Sequence, residues 1–242
     1  MPVGGTSGEQ YHVSTTAPTK ASTSARPAGR RRVMRWLLGA AIGVVAVAYA
    51  LIPRHADLTA FDPAEMARLE TSMWRHYYER RYVALFLGLY DVARWQQGFS
   101  PVDSVRVALA AARAAKSFQP SKSRAQAEAA LPYLAGYFRI LATAAPVAVD
   151  VEDAARTELA WWQARREAVT PEQYGAIIAR VSTLLYGVDT ADIRRAGALR
   201  AQAMDYCDAH AGRMTEADWS AIEHELQPAY GLLKNAISSP VR

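Results

Sequence analysis

Two segments of the chain share the pattern A-R-x-E-x-x-x-W, one ending at Trp74 and the other at Trp162. Residues four apart lie on one face of a helix, so Glu70 and Glu158 would each present a carboxylate one turn before the tryptophan. We expect the segments to be related halves that face each other, with both glutamates pointing into one shared, partly dry space. Four identities in eight positions also arise by chance in a chain rich in Ala and Arg.

A carboxylate beside aromatic side chains is typical of an apolar pocket in which a few polar groups orient a ligand. Neighbouring residues, Tyr77 and Arg81 in the first segment and Arg165 in the second, extend these two surfaces. The candidate ligand-binding residues are Glu70, Trp74, Tyr77, Arg81, Glu158, Trp162 and Arg165. The competing interpretation is ordinary core packing, in which the carboxylates pair with arginines or with indole and phenol groups.

Metal chemistry is a weaker interpretation of the same glutamates. Di-iron bundles add two Glu-x-x-His motifs to such a pair, and no glutamate after residue 57 has a histidine three positions later. Cys207 and His210 share a helical face, but two ligands are too few for a zinc site. Cys207 therefore fits a small buried hydrophobe, and a single cysteine excludes an internal disulfide. We expect no metal and no cofactor.

Catalytic motifs are missing from the sequence. It contains no nucleophile elbow, phosphate-binding loop or dinucleotide-binding fingerprint. His76 stands between Arg75 and Tyr77 and fits a surface residue better than a general base. We therefore assign no catalytic residue.

The elements that must position these side chains are helices. Asp62 followed by Pro63 supplies an N-cap and a proline at the first helical position, which predicts a long helix ending at Gly98. Its stretch 82–90, YVALFLGLY, is apolar on every side. We expect this helix to run through the core.

Six further helices are predicted by the same capping rules. Their predicted starts are Ser100, Ser121, Asp150, Thr170, Thr190 and Thr215. Pro132 is predicted to kink the helix that contains it, Gly187 to end another, and Pro228 to bend the last. The sequence has no strand pattern, so residues 58–238 are predicted to form an all-α bundle of about seven helices around one long buried helix.

The N-terminal part of the chain has a different character. Residues 1–30 are polar and are predicted to be disordered, and residues 31–54 are predicted to be a membrane anchor with a basic flank. Residues 36–52 carry no charge and would span about 25 Å as a helix, against roughly 30 Å of hydrocarbon. A signal peptide cleaved after Ala50, giving a secreted protein, is the alternative, and a translation start at Met34 would favour it.

Arginines concentrate on the N-terminal side of the uncharged segment. The positive-inside rule then predicts a cytoplasmic N-terminus and a helical domain outside the inner membrane of a bacterial-type cell. Small residues fall on one stripe of the segment, at Gly39, Gly43, Ala46 and Ala50. The stripe predicts a homodimer in the membrane, while the alternative is the ordinary abundance of Gly and Ala in such segments.

The distribution of charge along the chain restricts the classes of partner that the protein can bind. Residues 58–242 hold 21 basic and 21 acidic side chains, so the net charge of +5 belongs to the N-terminal part. A neutral domain lacks the basic surface that nucleic acids require, which excludes DNA and RNA as partners. The remaining candidates are the bilayer around residues 36–52, a second copy, a protein and a small apolar ligand.

Two functions remain open. We expect a membrane-anchored helical binding or scaffolding module rather than an enzyme, because the chain specifies an anchor and a core but no catalytic set. The alternative is an anchored enzyme or carrier with an aromatic pocket for a lipid-like or small apolar ligand. The module predicts an exposed apolar face and a filled interior, whereas the carrier or enzyme predicts a cavity that reaches the paired glutamates.

Overall fold

The computed structural model describes residues 28–51 and 55–238, and the regular elements within them are helical throughout. The chain divides into two compact units, with the boundary between Val45 and Ala46. Residues 1–27, which make up most of the predicted disordered tail, lie outside the described residues.

The first helix, α1, runs Ala28–Leu51 and so begins inside the predicted tail. From Arg32 to Ala50 it is long and apolar enough to cross a membrane, and none of that stretch is buried. A signal sequence has the same length and composition, so the helix alone does not distinguish the two interpretations. α1 covers the predicted anchor at 31–54 as far as Leu51, and the last three residues of that range lie outside the described residues.

Nine α-helices follow in the described range 55–238. They are α2 (Pro63–Tyr78), α3 (Tyr82–Asp91), α4 (Pro101–Phe118), α5 (Arg124–Ala127), α6 (Leu131–Leu141), α7 (Val151–Arg166), α8 (Pro171–Tyr186), α9 (Ala191–Ala209) and α10 (Glu216–Ser238). A π-helical turn, Val92–Gln96, follows α3, and a 3₁₀ turn, Glu128–Ala130, joins α5 to α6. The all-α prediction is confirmed.

Most predicted helix ends form as the capping rules require. Asp62 accepts the backbone N–H of Glu65 at 2.8 Å, and the equivalent bond starts α4, α7 and α9. α8 begins after Thr170 without a side-chain cap. Gly187 ends α8 at a φ of +71°, which glycine adopts without strain.

The single helix predicted from Asp62 to Gly98 is wrong. α2 ends at Tyr78, Arg80 takes a φ of +59°, and the chain reverses direction so that α3 packs antiparallel against α2. Gly88 permits the approach, because a Cβ there would lie 2.7 Å from Cγ of Met73. Helix-forming residues continue across the break, so only tertiary packing reveals it.

The predicted path of 82–90 through the core is also wrong. No residue of α3 is buried; Val83 is 77% exposed and Leu87 is 53% exposed. Some of the apolar side chains of α3 therefore lie on the surface of the domain.

The prediction for Pro132 needs correction. The helix predicted from Ser121 with a kink at Pro132 is instead α5, a 3₁₀ turn and α6. Pro132 stands in the first turn of α6, where its missing N–H has no intrahelical partner to lose. α10 continues through Pro228 to Ser238 as one helix, and the bend predicted at Pro228 stays a prediction.

The helices of 55–238 form a closed ring instead of surrounding one central helix, which corrects the predicted arrangement. They pack in the order α2, α3, α4, α6, α7, α8, α9 and α10, and α10 packs against α2. α8 and α9 approach closely, since a Cβ on Gly197 would lie 2.9 Å from the backbone nitrogen of Ala179. Arg75 of α2 and Glu216 of α10 form an ion pair at 2.5 Å where the ring closes.

The core consists of separate apolar clusters. Leu134, Phe138 and Leu159 belong to the first, Ile193, Ile222 and Leu226 to the second, and Tyr174, Ile178 and Met204 to a smaller third. Tyr186 packs against the first and second clusters, and Trp74 packs against the second and third. Large aromatic side chains therefore bridge the inside of the ring.

Candidate binding site

Glu70 forms a buried ion pair where the ring closes. Its carboxylate accepts hydrogen bonds from Arg200, with Nε at 3.2 Å and Nη2 at 2.5 Å, and from the Tyr230 hydroxyl at 2.6 Å. Glu70 is only 6% exposed. Burial opposes the charge of Arg200, but the Glu70 carboxylate raises the pKa of Arg200 above its ordinary value. The group links α2, α9 and α10.

Glu158 lies in the same interior, on α7. The indole Nε1 of Trp162 donates to it at 3.0 Å, as their spacing of one turn predicts. Burial raises the pKa of Glu158, and hydrogen bonding from the Trp161 indole is the largest opposing effect. The positive charge of Arg200 lowers this pKa, while the negative charge of Glu70 raises it. The structure therefore brings the two predicted glutamates within electrostatic range of each other and of one arginine.

Tyrosines complete this arrangement. Burial raises the pKa of Tyr137 on α6, and the charge of Glu158 adds to that effect. Burial also raises the pKa of Tyr186 at the end of α8, whose hydroxyl donates to the Leu58 carbonyl at 3.3 Å. We use the name interior cluster for Glu70, Tyr137, Glu158, Tyr186, Arg200 and Tyr230. Six helices of the ring contribute one residue each.

The interior cluster is enclosed by protein but is not sealed. Arg200 keeps 25% of its side chain accessible, and Glu158 is half-buried. Arg200 and Glu158 are therefore surrounded by helices and still partly accessible to solvent. The cluster therefore offers donors, acceptors and a carboxylate whose pKa burial raises above its ordinary value.

Two more predicted residues, Trp74 and Arg165, make contacts between helices of the ring. Trp74 is half-buried between the second and third apolar clusters and makes no hydrogen bond to Glu70 in the described structure. Arg165 binds Asp208 through Nε at 2.6 Å and Nη2 at 2.7 Å, and donates to the Tyr78 hydroxyl at 2.7 Å. This second polar link ties α7 to α9 and α2.

The last two predicted ligand-binding residues lie outside the interior cluster. Tyr77 is exposed, and Arg81 is exposed and pairs with Glu79 at 3.2 Å. The break after α2 carries Arg81 away from the face that Glu70 occupies. Their predicted role in one surface with Glu70 is not supported by this placement.

Cys207 and His210 do not converge on a common ligand position. Cys207 is fully buried, and burial raises the pKa of its thiol to about 12. The His210 ring stacks on Tyr206, with 4.1 Å between ring centres, and its Nδ1 lies 2.8 Å from the Tyr206 carbonyl. In the described part of the chain, no three His, Cys, Asp or Glu side chains are grouped to hold a metal ion.

Arg200 and Tyr230 are not among the residues predicted from the sequence, although the position of each in its helix is a signal of burial. Arg200 follows the buried Ala196 by four positions and precedes the buried Met204 by four, so an arginine stands on the apolar face of α9. Tyr230 continues the buried stripe of α10. A charged residue on a buried helix face needs a partner, and Glu70 supplies it.

An apolar surface lies on the outside of the ring. Its exposed members are Tyr82, Val83, Leu87, Trp95, Val102, Val105 and Leu109, and we call it the α3–α4 face. α3 and α4 pack against each other, and both contribute exposed apolar residues to this surface. Exposed apolar residues clustered in this way are typical of an interaction surface.

Arg94, in the π-helical turn, is unusual for a buried arginine. It is 2% exposed, and Nη1 donates to the Phe99 carbonyl at 3.2 Å. Nε and Nη2 have no hydrogen-bond partner. Among the described residues no carboxylate pairs with it, and its guanidinium carbon lies 4.6 Å from the centre of the exposed Trp95 ring. π-Helical turns of this kind are frequent at functional sites.

The predicted dimerisation stripe lies on α1. A Cβ built on Gly39 or Gly43 would meet no atom of the described chain within 4 Å, so both positions face open space. Close approach of a second helix along these glycines, Ala46 and Ala50 stays a prediction.

Two features of the domain have the composition of binding sites, the interior cluster and the α3–α4 face. No protein-family model matches the chain, and no curated protein or solved structure is significantly similar to it. Its function therefore has to be inferred from its own residues.

Proposed function

We propose that this chain is a single-pass membrane protein whose helical domain is a binding module that acts through the α3–α4 face. The observation that carries the proposal is the exposure of large apolar side chains on α3, with Val83 and Leu87 facing solvent one turn apart. Burying such residues is favourable, so a domain that leaves them outside its own core gains by covering them with a partner.

The anchor supports the same proposal. The apolar part of α1 is long enough to span most of a bilayer, and Arg32 and Arg35 precede it. The positive-inside rule then puts the N-terminus in the cytoplasm and the helical domain outside the inner membrane. The bilayer around residues 36–52 is thus the first partner, and a second copy that packs along Gly39 and Gly43 is the next.

The interior also favours a module. Glu70, Arg200 and Tyr230 satisfy one another, and Glu158 is held by an indole N–H. Buried polar groups that are already paired stabilise one fold, and a ligand would have to replace those bonds.

Photo-crosslinking in cells tests the proposal. A photoreactive residue at Leu87 should give an adduct of reproducible mass, and the adduct should be lost when Val83 and Val105 are replaced by serine. The matched control is Ala176, which is exposed on α8, four helices away around the ring of eight. Absence of an adduct at Leu87, or equal adducts at both positions, would contradict a binding role for the α3–α4 face.

The second candidate function is a carrier or enzyme that uses the interior cluster. It is favoured by the raised pKa of Glu158 and by the accessible part of Arg200, whose charge acts on that carboxylate. Native mass spectrometry of the purified full chain separates the two functions. A carrier would retain a small molecule that Glu158→Gln releases, whereas the module is expected at the mass of the polypeptide and its lipids.

A further inference from the structure

The unpaired arginine of the π-helical turn points to an anion. Nε and Nη2 of Arg94 lack partners although the residue is 2% exposed. A buried charge without a counter-charge is unfavourable by several kcal/mol, so the fold gains when an anion completes the pair. Two adjacent N–H groups of a guanidinium match the two oxygens of a phosphate or carboxylate.

The chain enters the domain beside this arginine. The backbone N–H of Asp57 donates to the Gln97 carbonyl at 2.9 Å, and the His55 carbonyl packs against Gly98. Leu51 is the last residue of α1, so the six steps of chain to Asp57 span at most about 20 Å. A bilayer that holds α1 is therefore within reach of the π-helical turn.

The α3–α4 face has the composition of a membrane-surface contact. Tyr82 and Trp95 stand at opposite ends of the exposed side of α3 and its π-helical turn, and these are the side chains enriched at the boundary of a bilayer. Arg80 and Arg81 are exposed at one end and Arg106 on the neighbouring helix, so cations border the apolar residues. An apolar helix with a basic margin is typical of a segment that lies in the lipid headgroup region.

We propose that the α3–α4 face docks on the surface of the phospholipid bilayer that holds α1, with the Arg94 guanidinium binding the phosphate of a lipid headgroup. The inference rests on the anchor of the proposed function and names the partner of the same face. Trp95 covers the guanidinium and is 61% exposed, so its ring is free to turn aside into the headgroup region. Two phosphate oxygens then accept from Nε and Nη2, while Leu87 and Val83 enter the acyl boundary.

Spin labels on the full chain in lipid nanodiscs test the docking. In a Cys207→Ala background, labels at Val44→Cys, Leu87→Cys and Ala176→Cys report contact with oxygen, which enters lipid, and with a water-soluble nickel chelate. The expected result is oxygen-preferring labels at Val44 and Leu87 and a nickel-preferring label at Ala176.

The labels distinguish failure of the proposed anchor from failure of the proposed docking. A nickel-preferring label at Val44 contradicts the anchor and with it the proposed function. An oxygen-preferring Val44 with a nickel-preferring Leu87 overturns only the docking. A Leu87 label protected from both reagents shows that a protein surface covers the face, which also overturns the bilayer as its partner.

Thermal unfolding of the full chain in maltoside micelles tests the role of Arg94. Short-chain phosphatidylglycerol should raise Tm by about 3–8 °C, and a diacylglycerol with the same chains should not. Arg94→Met should lose the rise. Arg106→Met is the matched control, since Arg106 is exposed and already pairs with Asp103 at 3.0 Å, and it should keep the rise.

Free phosphate and folding defects are controlled in the same assay. An equal increase in Tm with inorganic phosphate would show that the site binds any small anion and would overturn the lipid assignment. An undiminished Tm increase in Arg94→Met would overturn it as well. If Arg94→Met does not fold, Arg94→Lys is used instead, because lysine keeps the positive charge but lacks the planar guanidinium that binds two oxygens. A rise in Arg94→Lys equal to that of the natural chain overturns the proposal, and a smaller rise supports it.

Discussion

Replacement of the paired glutamates by glutamine tests whether the interior cluster is one network. Glu70→Gln keeps the shape of the side chain and removes the charge that Arg200 and Tyr230 face. Removing one partner of a buried ion pair is destabilising by about 3–5 kcal/mol, and hydrogen bonds to charged groups contribute about 1.5–3 kcal/mol each. Because 25% of the Arg200 side chain reaches solvent and Glu158 lies nearby, we expect Glu70→Gln to lower the free energy of unfolding by about 2–3 kcal/mol.

Glu158→Gln should behave differently. Burial already favours the protonated form of Glu158, and glutamine resembles that neutral form, so the single variant should lose less than about 1 kcal/mol. In the Glu70→Gln background, Glu158 is the remaining carboxylate of the interior cluster. The double variant should therefore lose at least about 0.5 kcal/mol more than the sum of the two single variants.

Thermal unfolding of the full chain, followed by far-UV circular dichroism, measures these differences. For a domain of this size, 2–3 kcal/mol corresponds to a Tm decrease of roughly 4–12 °C. The matched control is Glu65→Gln, because Glu65 pairs with Arg68 at 2.6 Å on the surface and should change stability by less than about 0.5 kcal/mol. A near-neutral Glu70→Gln, or strict additivity of the double variant, would falsify the shared network.

Three further outcomes are expected. Because the pKa of Glu158 is raised above its ordinary value of 4.5, the folded state binds this proton more tightly than the unfolded state does, so stability should fall as pH rises from about 4.5 through the raised pKa. Glu158→Gln should remove that slope, and an unchanged slope in pH-dependent unfolding would contradict the assignment. Gly197→Ala should destabilise the domain by about 1–3 kcal/mol, because the added methyl group would crowd the Gly175 carbonyl and the backbone of Ala179. Gly136→Ala, where a Cβ meets no described atom within 4 Å, should be neutral or stabilising, and chemical unfolding compares the two variants. A phosphatase that is active only outside the cytoplasm should be active when fused after Arg242, and a stable but inactive fusion would reverse the proposed orientation.

Local chemistry made most helix ends predictable from the sequence. Asp62 starts α2 and Gly187 ends α8, because capping depends on residues that are neighbours in the chain. The Glu158 to Trp162 hydrogen bond was predictable for the same reason, since both residues lie on one turn of α7.

Features that depend on distant contacts were not predictable. The break at Arg80 follows from packing of α3 against α2, and nothing in the local sequence excludes a continuous helix there. An apolar helix on the surface has the same composition as one in the core, so the exposure of Leu87 could not be distinguished from burial. Arg200 meets Glu70 across 130 positions of chain, which no spacing rule covers.

The proposed binding role requires that the α3–α4 face is covered when the protein is in its membrane. Labelling of Leu87→Cys and Ala176→Cys by a membrane-impermeant maleimide, in intact membranes, measures this directly. Both side chains are exposed on the domain itself, so any difference in rate comes from what covers them. We expect labelling at position 87 to be at least about tenfold slower, which corresponds to about 1.4 kcal/mol of protection. Equal rates at the two positions would contradict it.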